Sequence, residues 1–172
     1  MAAESRVRSA EVGDAFDALF RREFRPIART AYLIVGDATV AEEIAQEAFA
    51  KAWSRWRYVS QADRPAAWVH TVAVRLALRH KSRRRRGAHL EMVAHGSELF
   101  ATDDQSLLQV VELLRSLSPM QRAVVALEII DDVPIEAVAR QLRCRQSTAR
   151  VHLHRARARL AELVKEESSH GY

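Results

Sequence analysis

The chain has 172 residues, 48% of them hydrophobic and 6% aromatic, with a formal net charge of +5 and a pI near 10.0. That length holds one domain or two small ones, and the basic balance points to a polyanionic partner, although a solvated basic face would give the same number. One cysteine, Cys144, excludes an internal disulfide and a cysteine metal cage and fits a reducing cytoplasm, and the longest apolar runs, such as residues 31–35 and 123–127, are too short to span a membrane.

From Asp14 onward, Phe16, Leu19, Phe20, Phe24, Ile27, Ala31 and Ile34 keep helical spacing and predict a first helix. Pro26 is expected to kink this helix near Arg22 or to split it, because proline removes a backbone donor and crowds the preceding turn. Gly36 and Asp37 stop it. A second helix then runs to about Arg57, with Thr39 and Glu42 in capping-box form and Asp37 as the competing N-cap. Its apolar side holds Val40, Ile44, Ala48 or Phe49, Ala52, Trp53 and Trp56, and its other side holds Glu43, Gln46, Glu47 and Ala50. Residues 59–64 form a polar loop. Pro65 suits the first turn of a third helix, which turns Trp68, Val69, Val72, Ala73 and Leu76 inward and ends in the charge run 81–86, KSRRRR.

Residues 87–104 carry four acids (Glu91, Glu98, Asp103 and Asp104), no arginine and little periodicity, so they read as a linker. A second helical block follows. Leu107, Leu108, Val111 and Leu114 form one stripe; Ser118 and Pro119 open the next helix, with Val124, Leu127 and Ile130 inward; residues 132–134 start a third, with Ile135, Val138 and Leu142. A basic helix from about Ser147 to Val164 comes last. Seven arginines fall between Arg140 and Arg159, while Ala149, Leu153, Ala156, Leu160 and Leu163 make an apolar stripe at spacings of three and four. A short helix, a turn and a basic second helix is the pattern of a helix-turn-helix DNA reader. No strand-like alternation competes. The expected fold is all-α, with two small helical domains at 11–86 and 105–166 joined by a flexible acidic linker at 87–104.

Two separate stretches carry a resemblance. Residues 41–49, AEEIAQEAF, following Gly36-Asp37, resemble the AEDIVQEAF element of bacterial sigma factors of the short, two-domain extracytoplasmic-function (ECF) group. Arg64-Pro65-Ala66-Ala67-Trp68 followed by Val72-Ala73 is similar to that group's next element. Leu117-Ser118-Pro119 with Gln121-Arg122-Ala123-Val124, and then the helix-turn-helix, resembles its promoter-reading domain. The similarity spans about Asp14 to Val164.

The resemblance implies a protein that binds core RNA polymerase, brings it to promoters and helps to open the duplex, with no catalytic residues and no cofactor. It implies that Glu42, Glu43, Ile44, Gln46 and Glu47 dock on a basic coiled coil of the polymerase clamp, with Glu43 and Gln46 central and Ile44 divided between core and interface. An ordinary solvated face, with a Glu47–Lys51 pair one turn apart, is the alternative reading of these residues. The loop at 59–64 would capture an unstacked base of the −10 element, a task suited to aromatic pockets with basic rims. Trp56, Tyr58, Ser60, Gln61, Asp63 and Arg64 are its candidate contacts, while Trp53 and Trp68 read better as core. Arg75, Arg79 and Arg83 would lie beside the same element, and Arg84 to Arg86 are either phosphate contacts or a solvated helix end. In the second block, Thr148, Arg150, Val151, His154 and Arg155 would face the −35 element, arginine paired to guanine being the commonest specific contact. Arg157 and Arg159 would meet phosphate or only solvent.

The chain departs from the family pattern at three places. Arg75 stands where the family usually has Asn, and Arg143 and Ser147 stand where it usually has Gly. A non-glycine residue at a positive φ costs on the order of 1 kcal/mol. The expected partners are core polymerase, promoter DNA and, as a further candidate, an anti-sigma factor. No membrane is implied, and the free chain would be a monomer with two loosely tethered domains. The rival readings are a stand-alone helix-turn-helix regulator, which leaves the acidic helix unexplained, and a basic RNA-binding or scaffolding protein. His152 and His154 fall on different faces rather than on one metal, and no enzyme signature appears.

Overall fold

A computed structural model describes the backbone of residues 2–86 and 105–169 and the side-chain environment of residues 12–82 and 106–166. The linker expected at 87–104 lies outside the described residues. Helix α1 spans Ala2–Val35, α2 Ala38–Ser54, α3 Trp56–Val59 and α4 Pro65–Arg86; the second block has α5 Gln105–Leu114, α6 Pro119–Val125, α7 Ile135–Leu142 and α8 Gln146–Ser169. Among the described residues there is no strand, as the periodicity predicts. No described helix is long and apolar enough to cross a membrane.

Helix α1 runs unbroken through Pro26, so the expected kink or split does not divide it. Arg22 and Pro26 both lie on the exposed side, where water can satisfy the carbonyl that proline leaves without a donor. Gly36, at φ 70°, closes the helix. Asp37, not Thr39, caps α2: its carboxylate accepts from the Val40 N–H at 3.0 Å. The buried line on α2 is Ala41, Ile44 and Ala45, Ala48 and Phe49, then Ala52, and it continues through Trp56 and Val59 of α3. Trp53 falls one residue off that line and is 52% exposed, which corrects its assignment to the core. In α4 the innermost residues are Val69, Ala73, Val74 and Ala77, with Trp68, Val72 and Leu76 packed at the flanks.

In the second block, Ser118 and Gln121 form a reciprocal capping box at the start of α6. The helix then widens into a π-helical turn over Ala126–Ile130, closed by the Asp131 N–H on the Ala126 carbonyl at 2.9 Å. Of the stripe expected on α5, Val111 and Leu114 are buried and Leu108 is exposed.

Helix α7 ends at Arg143, which adopts a left-handed conformation at φ 54°, ψ 42°. The Cys144 N–H reaches back to the Ala139 carbonyl at 3.0 Å, completing the turn that glycine would enter without steric cost. Ser147 lies inside the first turn of α8 and has no positive φ, so only the first of the two departures in the turn is strained. Arg143→Gly is expected to stabilise the chain by about 1 kcal/mol. Thermal unfolding should read this as a midpoint raised by roughly 2–4 °C; an unchanged or lowered midpoint would show that the turn is not strained.

The buried residues of both blocks form one continuous cluster, running from Leu19 and Ile27 of α1 to Val138 of α7 and Leu153 of α8. Helix α1 packs directly on α5, α6 and the π-helical turn, and α4 packs on α6 and α7. The expectation of two loosely tethered domains therefore gives way to a closed arrangement with a shared seam.

Candidate functional site

Four surfaces follow from this frame. The first is the outer face of α2. Glu43, Gln46, Glu47 and Ala50 are all exposed, and Trp53 extends the same stripe by one turn. Ile44 is 6% exposed, which places it in the core rather than at an interface. Glu47 is paired to Lys51 at 3.1 Å, an exposed contact of small weight. The Trp53 ring leans on Phe16, their centroids 4.9 Å apart and their planes at 59°, while about half of the residue stays exposed.

The second surface is the turn after α3. Tyr58 is 71% exposed, and Ser60, Gln61, Asp63 and Arg64 are exposed around it. Trp56 is not part of this surface. It is 7% exposed and meets Phe16 edge-on with centroids 5.2 Å apart. Its place on the buried line, four residues after Ala52, was available in the spacing; an aromatic at a loop entrance is not enough to make a base platform.

The third is the outer side of α4, whose arginines have separate fates. Arg79 is exposed, and the Arg83 side chain lies outside the described residues. Arg75 turns toward the second block. Its Nε donates to the Gln141 carbonyl at 2.9 Å, and its Nη2 to the Arg140 carbonyl at 3.4 Å. Burial, and then the nearby charge of Arg143, lower the Arg75 pKa from its ordinary value. The carbonyls it holds belong to the last turn of α7, where a cation complements the helix dipole.

The fourth is α8. Ala149, Leu153 and Ala156 are buried, while Thr148, Arg150, Val151, His154 and Arg155 are all exposed. At about 100° per residue these five share one side, opposite the buried stripe. Glu136 of α7 accepts from the Gln146 amide and stands 3.8 Å from the Arg150 guanidinium, a loose pair that leaves the arginine able to swing outward. Arg157 pairs with Glu128 at 3.3 Å, and Arg159 with Glu162 at 3.2 Å.

The seam between the blocks holds polar residues for which the sequence carries no local signal. Asp131, just past the π-helical turn, accepts the Thr30 hydroxyl at 2.7 Å and the Arg29 Nη2 at 3.3 Å. The His70 Nε2 lies 3.3 Å from the same carboxylate and 3.3 Å from the Thr30 oxygen. Burial alone would raise the Asp131 pKa, but the hydrogen bonds from His70 and Thr30, with the charges of His70 and Arg29, outweigh it and hold the carboxyl below its ordinary value. On the other side of the seam, Arg122 of α6 donates to the Ile34 carbonyl at 3.2 Å and so helps to cap α1. No cluster of metal-ligating side chains occurs among the described residues.

Comparison with known proteins identifies the family. Residues 19–87 match the family description "Sigma-70 region 2", and residues 107–160 match "Sigma-70, region 4". The chain belongs to the sigma-70 family of sigma factors. Its curated relatives include proteins named as ECF sigma factors. It is 28% identical over 162 residues to the probable ECF RNA polymerase sigma factor SigI of Mycobacterium tuberculosis, covering 87% of this chain and 55% of that protein. It is 27% identical over 165 residues to the ECF sigma factor SigL of the same species, covering 88% of this chain and 91% of the relative. The RNA polymerase sigma-E factor of Streptomyces coelicolor is 27% identical over 151 residues, covering 86% and 84%. This sigma factor thus spans about half the length of SigI but nearly all of SigL. Its fold is that of the sigma factor RpoE of Bartonella quintana, solved with the anti-sigma factor NepR, at a TM-score of 0.70 and 23% identity over 88% of this chain and 97% of that one. The region 2 match runs from within α1 to the end of α4, and the region 4 match from within α5 into α8; the two helical blocks are called regions 2 and 4 below.

Proposed function

We propose that this chain binds core RNA polymerase in the cytoplasm and directs it to promoters by reading a −35 and a −10 element. The observation that carries this reading is that both sigma regions occur in order on one chain, each with an exposed surface suited to its task. On region 2, the acidic strip Glu43, Gln46 and Glu47 and the exposed Trp53 suit a basic partner, and Trp is over-represented among residues that dominate binding energy. Glu42 flanks this strip; Ile44 supports it from beneath. The turn bearing Tyr58, Ser60, Gln61, Asp63 and Arg64, with Arg79 beside it, suits unstacked bases and phosphates of the −10 element. On region 4, Thr148, Arg150, Val151, His154 and Arg155 form the face that would enter the major groove at the −35 element. The chain needs no cofactor and no catalytic group for this work, and it acts as a monomer until it joins polymerase. An anti-sigma factor belongs to the same reading as a further partner.

Run-off transcription with bacterial core polymerase on genomic fragments, with and without the chain, tests the reading directly. Promoter-specific transcripts that depend on the chain support it; specific DNA binding with no polymerase-dependent transcript overturns it in favour of a stand-alone regulator. Within region 4, Arg150→Ala is expected to cost about 1–3 kcal/mol at one base position. Arg159→Ala is expected to weaken binding evenly across sequences and to lower the salt slope. Titrations against a panel of single-base −35 variants distinguish the two, and uniform weakening by both changes would make Arg150 a phosphate contact.

A further inference from the structure

The seam joins the two DNA-reading regions in a way that promoter binding cannot share. Helix α4, which carries Arg75 and Arg79, packs on α7, the first helix of the helix-turn-helix. Packed helices lie about 8–10 Å apart axis to axis. The two promoter elements, by their positions, are about 25 base pairs apart, which is roughly 85 Å at about 3.4 Å per pair. The closed chain therefore cannot occupy both. Closure also removes Arg75 from the DNA side, because its guanidinium is committed to the Gln141 and Arg140 carbonyls.

The polar centre of the seam is built as a clasp. Asp131 comes from region 4, and its three side-chain partners, Arg29, Thr30 and His70, all come from region 2. The Thr30 side chain is 1% exposed, the one polar residue so deeply buried among those described, and its single hydroxyl proton points to the carboxylate at 2.7 Å rather than to the longer 3.2 Å contact with the Pro26 carbonyl. A hydroxyl-to-carboxylate bond of that length, on a buried hydroxyl, is of the strong charge-assisted kind. These partners of the Asp131 carboxylate exist only while the regions are closed. Opening exchanges them for water, so the clasp sets how readily the chain opens without being needed for either region's own fold.

We propose that Asp131 is the pin of a latch that holds regions 2 and 4 together in the free chain, and that core polymerase binds the unlatched form. The second half rests on the sigma-factor reading; the first does not. A partner that binds only the open form sees its apparent affinity reduced by the open fraction. Loosening the latch therefore increases affinity for polymerase, the opposite of what a damaged binding surface does.

The test uses the full chain with Cys144→Ser and spin labels attached at Ser54→Cys in α2 and Ala161→Cys in α8, read by pulsed electron–electron distance measurement. The labelled chain should give one narrow distance. Adding Asp131→Ala, or Thr30→Val from the other side of the seam, should create a longer, broader population, raising the ratio of open to closed by roughly tenfold; Asp131→Asn, which keeps an acceptor for Thr30, should raise it less. Circular dichroism confirms that each variant is folded. Titration with bacterial core polymerase should then show tighter binding by the variants, rising in step with the open population. A narrow distance unchanged in folded Asp131→Ala and Thr30→Val overturns the latch, as does a broad distribution in the unaltered chain. An opened variant that binds polymerase no better than the parent overturns the coupling. If the variants open but neither parent nor variant binds polymerase, the latch stands and the sigma-factor reading fails.

Discussion

Glu43→Lys combined with Gln46→Ala is expected to abolish co-purification with core polymerase while leaving helical content unchanged. Both residues are exposed on α2, and neither side chain makes a hydrogen bond or ion pair with another described residue, so the fold should not register their loss. At an interface with a basic partner the consequence differs. Breaking a desolvated charge pair costs about 2–5 kcal/mol, which is from tens to thousands of fold in affinity, and reversal to lysine adds repulsion. Pull-down of polymerase subunits with the tagged chain measures the loss, and circular dichroism checks the fold. A folded double variant that recovers polymerase normally would remove this face of α2 from the docking surface.

Inserting five base pairs between the −35 and −10 elements is expected to abolish transcription by the holoenzyme. The insertion turns one element by about half a helical turn relative to the other. Regions 2 and 4 are covalently joined by 18 residues, 87–104, which can stretch to at most roughly 60 Å, and on polymerase they would be held in fixed relation. Loss of the run-off transcript from the altered promoter, with the unaltered one as control, is the result to look for. Transcription that survives the insertion would mean that one element suffices, and the stand-alone regulator would become the better account.

Much of the fold was legible because helical spacing is a local signal. The stops at Gly36 and before Pro65, the Ser118 cap and the inward face of α8 all follow from neighbours within four residues. The surfaces on α2 and α8 were legible for the same reason: once the buried line is known, the exposed face is fixed. Trp53 shows how narrow the margin is. It stands one residue from Ala52, and that single step carries a large apolar side chain from the core to the surface. Trp56, four residues from Ala52, goes the other way. Pro26 does not split α1, because the cost of its missing donor depends on whether the orphaned carbonyl faces water, which sequence alone does not state.

The seam was not legible, and the reason is physical. Arg75 is held by backbone carbonyls, which every residue possesses, so its partners leave no mark in the sequence. Asp131 and Asp132 stand side by side and read alike, yet Asp132 takes a positive φ of 51° and Asp131 turns inward to region 2. Contacts that join residues about a hundred positions apart are set by packing of whole helices, not by any short-range pattern.

The π-helical turn at Ala126–Ile130 gives this last contact an unusual origin. A π turn accommodates one residue more than an α-helical turn, and one residue corresponds to about 100° of rotation about a helix axis. The direction in which Asp131 leaves the helix, and with it the angular setting of everything from α7 onward, is thus governed by the count of residues in one turn. A lineage could retune the meeting of the two regions by gaining or losing a single codon there, without altering any side chain proposed to meet DNA.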